Sequence, residues 1–432
     1  MVTRTRTRTR PHTRRAAYAT AALVLATACA VPATVAAVTD PGSVVLSPPE
    51  PTGPHAVGRT ELHLVDPERG HPWVEGTTER DVMVSLWYPA EPDDGDELAP
   101  YVSASAGSAL ASELEQVGLP RSAVDVASSC SNAFAEADAA LDAGPFPVVL
   151  FSPGFGVARF LNTANAEELA SRGYVVAAID HPYEPDAVDL PDGRVLRTRV
   201  PNTETPAYRD AIATRVADTR LVLDAMDALA AGGAPQAGGD PLPGGLAESL
   251  DTSRTGMFGH SAGGLTTAEA MLVDDRVDAG MNLDGSLAYH VGDQAWADAT
   301  TRGADRPFAL FMAGTSGGRN EPHTSGHHED LRLFQSASTG PVTELIMAGG
   351  EHMSLMDYQW ALPAIEEERG ADHRTWREKV AEAISTVDPE ASVDAQRAYI
   401  TAFFDAHLRG EDEPLLDGPS PEYPAVAFVD GP

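Results

Sequence analysis

From Pro145 to Gly350 the chain alternates short, uninterrupted apolar runs with stretches of helical period. Residues 147–152 (PVVLFS), 174–180 (YVVAAID), 255–259 (TGMFG), 279–284 (AGMNLD), 306–314 (RPFALFMAG) and 342–350 (VTELIMAGG) have almost no polar side to turn toward water. Such runs fit strands covered on both faces. Between them, 162–173 (NTANAEELASRG) reads as a helix stopped by Gly173, and 208–229 places Ile212, Val216, Leu223 and Met226 on one stripe. The alternation predicts an α/β fold: a mostly parallel central sheet with helices on both faces. Upstream, 59–66 and 81–89 read as a strand pair. Near the end, Val393, Ile400, Phe403, Phe404 and Leu408 form a stripe suited to a last helix packed on the sheet.

Within that frame two Gly-x-Ser-x-Gly matches compete, as expected by chance in a chain with 38 glycines. Ser261 sits in TGMFGHSAGGLTTAEAM, an apolar strand, a glycine corner and a helix start without a breaker. A nucleophile elbow needs those three parts, because the serine must be held out on a tight strand-to-helix bend. Ser316, in GTSGG, is followed by Gly, Asn and Pro where a helix should begin, so it reads as a loop serine. A serine hydroxyl needs a base. His352, in MAGGEHMSLMD, follows the last apolar strand and stands after the serine, the order found in α/β-hydrolases. His181, at the end of an earlier strand, is taken as a pocket residue. Asp284 ends the strand AGMNLD and is favoured as the acid, since no carboxylate follows the next strand before Glu321, the alternative being a strand-end aspartate that caps a turn. For the oxyanion, backbone N–H groups are expected from Ala262, next after the serine, and from Phe155 in FSPGFG. Pro153 has no N–H to offer.

In this order PVVLFSPGFG, LASRGYVVAAIDH, MFGHSAGG, NLDG and GGEHMSLMD resemble the plasma-type platelet-activating factor acetylhydrolase branch of the α/β-hydrolases and its bacterial lipase-like relatives. The likeness covers roughly 59–410, with VMVSLWYPAEP matching the family's opening strands. It implies an α/β-hydrolase fold, a serine carboxylic ester hydrolase acting on short-chain acyl esters or lipids, and the triad Ser261, Asp284 and His352. The family's oxyanion loop typically reads Ser-His-Gly-Leu-Gly. Pro153 replaces the histidine here, which leaves the Phe155 donor intact, so the family's acyl-chain preference does not carry over. GHSAGG also resembles cutinase and polyester-hydrolase elbows, so a polymer substrate, acyl transfer and a non-catalytic binding role stand as alternatives.

The rest of the chain sets context. The first 15 residues hold six arginines and no acid, followed by an uncharged stretch to Val38, the layout of an export signal over 1–38. Arg14-Arg15 is a candidate twin-arginine pair, Cys29 a candidate lipidation site, and an uncleaved anchor the remaining option. Residues 39–58 read as a linker and 59–432 as the catalytic domain, with a helical insertion at 101–144. Removing the six leader arginines from 30 basic residues leaves 24 against 64 acidic ones, a net charge of −40. That surface repels phosphate backbones, so no nucleic-acid partner is expected. The expected partner is a small-molecule or lipid ester, with peripheral contact at a lipid interface, and the sequence carries no signal for oligomeric state. Outside the leader only Cys130 remains, leaving it no internal disulfide partner. Residues 321–330 (EPHTSGHHED) bring three histidines near acids, but without helical or strand framing they read as a solvated loop rather than a metal site. No phosphate loop or dinucleotide fingerprint is present, so no cofactor is implied.

Overall fold

The computed structural model describes residues 43–116, 119–142, 144–201, 204–239, 241–290, 294–315, 321–369 and 374–429. The proposed export signal, Cys29 and Ser316 lie outside the described residues.

Eleven strands form one sheet: β1 (Ala56–Asp66), β2 (Arg80–Ala90), β3 (Leu98–Pro100), β4 (Cys130–Ala135), β5 (Phe146–Ser152), β6 (Val175–Asp180), β7 (Leu250–His260), β8 (Val277–Leu283), β9 (Phe308–Ala313), β10 (Val342–Met347) and β11 (Val426–Phe428). Their order across the sheet is β11-β10-β9-β8-β7-β5-β6-β2-β1-β4-β3. The central block from β6 to β10 is parallel, with Val149 opposite Val176 and Leu150 opposite Met257. The β1–β2 hairpin joins it antiparallel through β2 and β6.

The apolar runs are buried on both sides for a simple reason of pleat. In β5, Val148 and Leu150 enter one core cluster while Val149 and Phe151 enter the other. Nine α-helices stand among the described residues: α1 (Ala104–Gln116), α2 (Thr163–Ser171), α3 (Thr205–Ala230), α4 (Ala262–Val273), α5 (Asp298–Arg302), α6 (Glu329–Ala337), α7 (Tyr358–Arg369), α8 (Arg374–Ile384) and α9 (Pro389–Phe404). The first cluster packs α3, α4 and α6 on one face, the second packs α2 and α9 on the other. In α9, Pro389 occupies the first turn and the Asp388 carboxylate accepts the Ala391 N–H at 2.9 Å. Tyr399, Ile400, Phe403 and Phe404 then bury almost completely. A third cluster joins α1, α7 and α8 to the start of α2, with Tyr101 edge-on to Trp360, and forms a cap beside the sheet. No described helix is long and apolar enough to cross a membrane.

Two expectations change. Residues 101–144 are not only a helical insertion: α1 and two short 3-10 turns are followed by β4, which pairs with β1 and β3. Its inward residues, Ser131 and Ala133, are too small and mixed to give an alternating apolar signal. The expected linker 39–58 is docked where it is described, and β1 already begins at Ala56. Val44 and Leu46 are buried, Thr52 donates through N–H and hydroxyl to Glu168, and the Arg397 guanidinium holds the carbonyls of Pro49 and Glu50. Separately, Cys130 is disulfide-bonded in the full chain.

Candidate active site

The corner between β7 and α4 carries Ser261 at φ 55° and ψ −118°, a backbone state that L-residues occupy only when their surroundings force it. Two glycines let the corner close. A Cβ on Gly259 would collide with the Gly263 carbonyl group, and one on Gly263 with the Ser152 carbonyl, so helix and strands touch backbone to backbone. The Ser261 N–H donates to Leu283 O at 2.9 Å, tying the corner to the end of β8.

Asp284 follows directly, also at positive φ (52°), with its N–H given to Phe311 O at 3.0 Å. Its carboxylate is wholly buried and fully engaged. Oδ2 stands 2.6 Å from His352 Nδ1, while Oδ1 accepts the Ala313 N–H at 2.9 Å and faces His323 Nδ1 at 2.7 Å. Burial alone would raise its pKa. The His323 and His352 imidazoles outweigh that and hold the carboxyl well below the usual range. With Nδ1 committed to the carboxylate, His352 keeps Nε2 for other work.

His352 opens a 3-10 turn (His352–Leu355) that is capped reciprocally. Glu351 accepts the His352 N–H, the Glu351 N–H goes to Ser354 Oγ at 2.9 Å, and Thr315 donates to Glu351 at 2.5 Å. The His352 side chain remains 31% exposed, so exposure rises from the buried Asp284 carboxylate to the imidazole. His260, just ahead of the serine, lies with its ring 4.5 Å from that of His352 and its Nε2 2.8 Å from His352 O. Burial first, then the neighbouring imidazole, pushes its pKa down to about 3, so it is neutral at ordinary pH.

For the two expected oxyanion donors, Ala262 is the first residue of α4, where an N–H has no carbonyl one turn back to satisfy it. Phe155 lies in the loop after β5 and packs edge-on against Tyr208. A Cβ on Gly154 would sit 3.6 Å from Ser261 Cβ, so this loop runs beside the serine. Ser261, Asp284, His352, Ala262 and the Phe155 loop are thus gathered at the C-terminal edge of the parallel strands, the usual location of α/β sites.

Two sequence expectations fail here. His181 is not a pocket residue. It is 1% exposed, with Nε2 2.9 Å from Ser152 Oγ and Nδ1 3.0 Å from Asp218 Oδ2, and burial together with the Arg215 charge lowers its pKa. This second serine–histidine–aspartate chain is closed to substrate, each member being buried to 1% exposure or less. The 321–330 segment is not simply a solvated loop either: His323 is buried on Asp284, with His328 edge-on at 4.5 Å. Nothing in the local sequence ties His323 to an aspartate 39 residues earlier; only the concentration of histidines hinted at a task.

A family model for platelet-activating factor acetylhydrolase, isoform II, matches residues 43–190. A probable 1-alkyl-2-acetylglycerophosphocholine esterase of Arthroderma benhamiae is 28% identical, over 93% of this chain and 98% of its own length. The platelet-activating factor acetylhydrolase of Cavia porcellus is 25% identical over 55% of each chain. Among solved structures, a ferulic acid esterase from Streptomyces cinnamoneus is 32% identical and superposes with a TM-score of 0.67, covering 90% of this chain and 100% of that one. Fold and relatives agree: the chain is a carboxylic ester hydrolase of the α/β-hydrolase fold, similar to the platelet-activating factor acetylhydrolases.

Proposed function

We propose that this hydrolase is an exported serine esterase for short-chain acyl esters, including acetylated lipids. The observation that carries the reading is the 2.6 Å contact of His352 Nδ1 with the buried Asp284 carboxylate, beside a serine held on a strained strand-to-helix corner. In this reading Ser261 Oγ bonds to the ester carbonyl carbon while His352 Nε2 takes the hydroxyl proton. The carbonyl π electrons move onto oxygen, where the N–H groups of Phe155 and Ala262 receive the charge. Each such donor contributes about 3 kcal/mol to the transition state. Collapse breaks the bond to the alcohol, which leaves with the proton from His352. Water, deprotonated by the same imidazole, then releases the acid and restores Ser261. Asp284 orients the imidazole and stabilises its cation throughout.

Support for an acetyl-sized acyl group comes from the Arthroderma and Cavia relatives, and export rests on the basic, then apolar, N-terminal stretch. A bulkier aromatic acyl group is the second reading. It is favoured by the Streptomyces ferulic acid esterase and by an apolar groove of about 320 Å³ beside Met353, walled by Leu110, Tyr358, Leu362, Trp376 and Val380. The test is fluorophosphonate labelling with peptide mapping on wild type and Ser261→Ala. Label is expected on Ser261 and on no other serine. Turnover of p-nitrophenyl acetate, a short-chain phospholipid, a feruloyl ester and polyester film then separates the substrate classes. Unlabelled wild-type protein, or an active Ser261→Ala, removes the serine mechanism.

A further inference from the structure

We propose that Arg215, on α3, is a positioning residue for the oxyanion hole, acting by fixing the peptide planes of the Pro153–Phe155 loop. The inference rests on the reading of Ser261 and Phe155 given above and adds a residue that neither the motifs nor the relatives point to.

Arg215 is 1% exposed, and its guanidinium spends every donor. Nη1 donates to Pro153 O at 2.6 Å and to Ser152 Oγ at 3.3 Å. Nη2 donates to Gly154 O at 2.9 Å and to Glu184 Oε2 at 2.6 Å, and Nε is 3.0 Å from both Glu184 oxygens. Glu184 is 2% exposed and balances the charge.

In a trans peptide the C=O and the following N–H point in opposite directions from one plane. A guanidinium that holds Pro153 O and Gly154 O therefore turns the N–H groups of Gly154 and Phe155 away from α3. The serine lies beside that loop, since a Gly154 Cβ would be 3.1 Å from His260 Nδ1 and 3.6 Å from Ser261 Cβ. Preorganised donors are what make an oxyanion hole effective, because a loose loop must be reordered during each reaction. A buried ion pair is weak support for stability, and an apolar pair of similar volume serves as well. A planar fork reaching two successive carbonyls and a carboxylate is something an apolar pair cannot supply.

The ion pair is also anchored from behind. Ser152, the residue before the loop, receives Arg215 Nη1 and meets His181, which meets Asp218, which is held by Arg80 through two contacts of 2.6 Å. That relay explains why a serine–histidine–aspartate chain is kept where no substrate reaches.

The test compares Arg215→Lys, Arg215→Met and Glu184→Gln with wild type on p-nitrophenyl acetate. Rates are expressed per site titrated to completion with fluorophosphonate, so misfolded protein does not count. Lysine keeps the charge but not the fork. All three variants are expected to lose roughly 10–100-fold in kcat per titrated site with KM changed less than about threefold. Their affinity for a trifluoromethyl ketone, which forms a tetrahedral oxyanion on serine, is expected to fall in parallel. Unchanged kcat per titrated site, a loss confined to the titratable fraction, or a loss carried by KM would each overturn the proposal. Should one variant fail to fold, the other two decide. Activity retained by Ser261→Ala would instead overturn the nucleophile assignment, whatever the Arg215 variants do.

Discussion

His323 Nδ1 stands 2.7 Å from Asp284 Oδ1, the oxygen that His352 leaves unused. One buried carboxylate therefore serves two imidazoles, and the second is outside the usual serine–histidine–aspartate set. Burial pushes the Asp284 pKa up, and the charge and hydrogen bond of His323 are the largest influences pulling it down.

Replacing His323 with phenylalanine removes that pull while keeping a ring in the space. The Asp284 carboxyl should then protonate at a higher pH than in the wild type. The expected outcome is a pH–rate profile whose acid-side loss begins earlier, together with a fall of roughly tenfold in kcat at neutral pH because the carboxylate has lost one of its three restraints. Hydrolysis followed from pH 4 to pH 8 checks it. Superimposable profiles would show that His323 only fills space.

Asp284→Asn keeps the shape and removes the charge. An amide –NH2 facing His352 favours the tautomer that carries its proton on Nε2, which can no longer accept from Ser261. The expected loss is about 10³–10⁴-fold in kcat with KM little changed. Slow fluorophosphonate labelling of Ser261 should accompany it. Near-wild-type turnover would mean that another carboxylate is the partner.

Much of the sheet was legible because its strands are apolar at nearly every position, and burial on both faces demands that. The corner at Ser261 was legible because glycines are needed wherever helix and strand backbones touch, and the Gly259 and Gly263 collisions show the need. Asp284 and His352 were found from strand order, and they do meet. What stayed hidden depended on polar side chains brought together from afar, which leave no period in a sequence. Arg215 and Asp218 are buried on the inward side of α3, whereas Val216, placed on the expected stripe, is only half-buried. The stripe reading assigns inward positions to apolar residues and so passes over an ion pair that is satisfied by Glu184. β4 was missed for the opposite reason, since Ser131 and Ala133 pack inward without much apolar surface.

Gly263 offers a stability test of the elbow. Its missing Cβ would collide with the Ser152 carbonyl, and backbone cannot swing away as a flexible side chain can. Gly263→Ala is expected to cost about 3 kcal/mol or more, at or beyond the upper end for overpacked cores. Chemical denaturation gives the number directly. Alanine at Gly193, which has open space but positive φ, provides a comparison in which only backbone strain acts. Equal costs at the two positions would count against close helix–strand contact as the reason for the glycine.

Acid stability should carry the mark of His260. Its pKa falls from 6.5 in the unfolded chain to about 3 in the fold, chiefly through burial. Between those values the unfolded chain binds a proton that the native state refuses, so stability declines as pH drops through the window. The decline amounts to about 2–3 kcal/mol between pH 6.5 and about pH 4.5. His181, also buried with a lowered pKa, adds a loss of the same sign. Glu167, raised to about 7 mainly by burial, acts oppositely, because its folded form holds a proton that the unfolded carboxylate releases. Asp284 enters only below its ordinary 3.8, where its depressed pKa makes protonation of the unfolded state the first to occur. The His260→Leu variant keeps His181, Glu167 and Asp284, so subtracting its stability curve from that of the wild type leaves the His260 contribution. Urea unfolding at pH 6.5, 5.5 and 4.5 should show the wild type losing stability more steeply than His260→Leu. Parallel curves would mean that the ring accepts its proton in the fold, and the neutral histidine beside Ser261 would have to be given up.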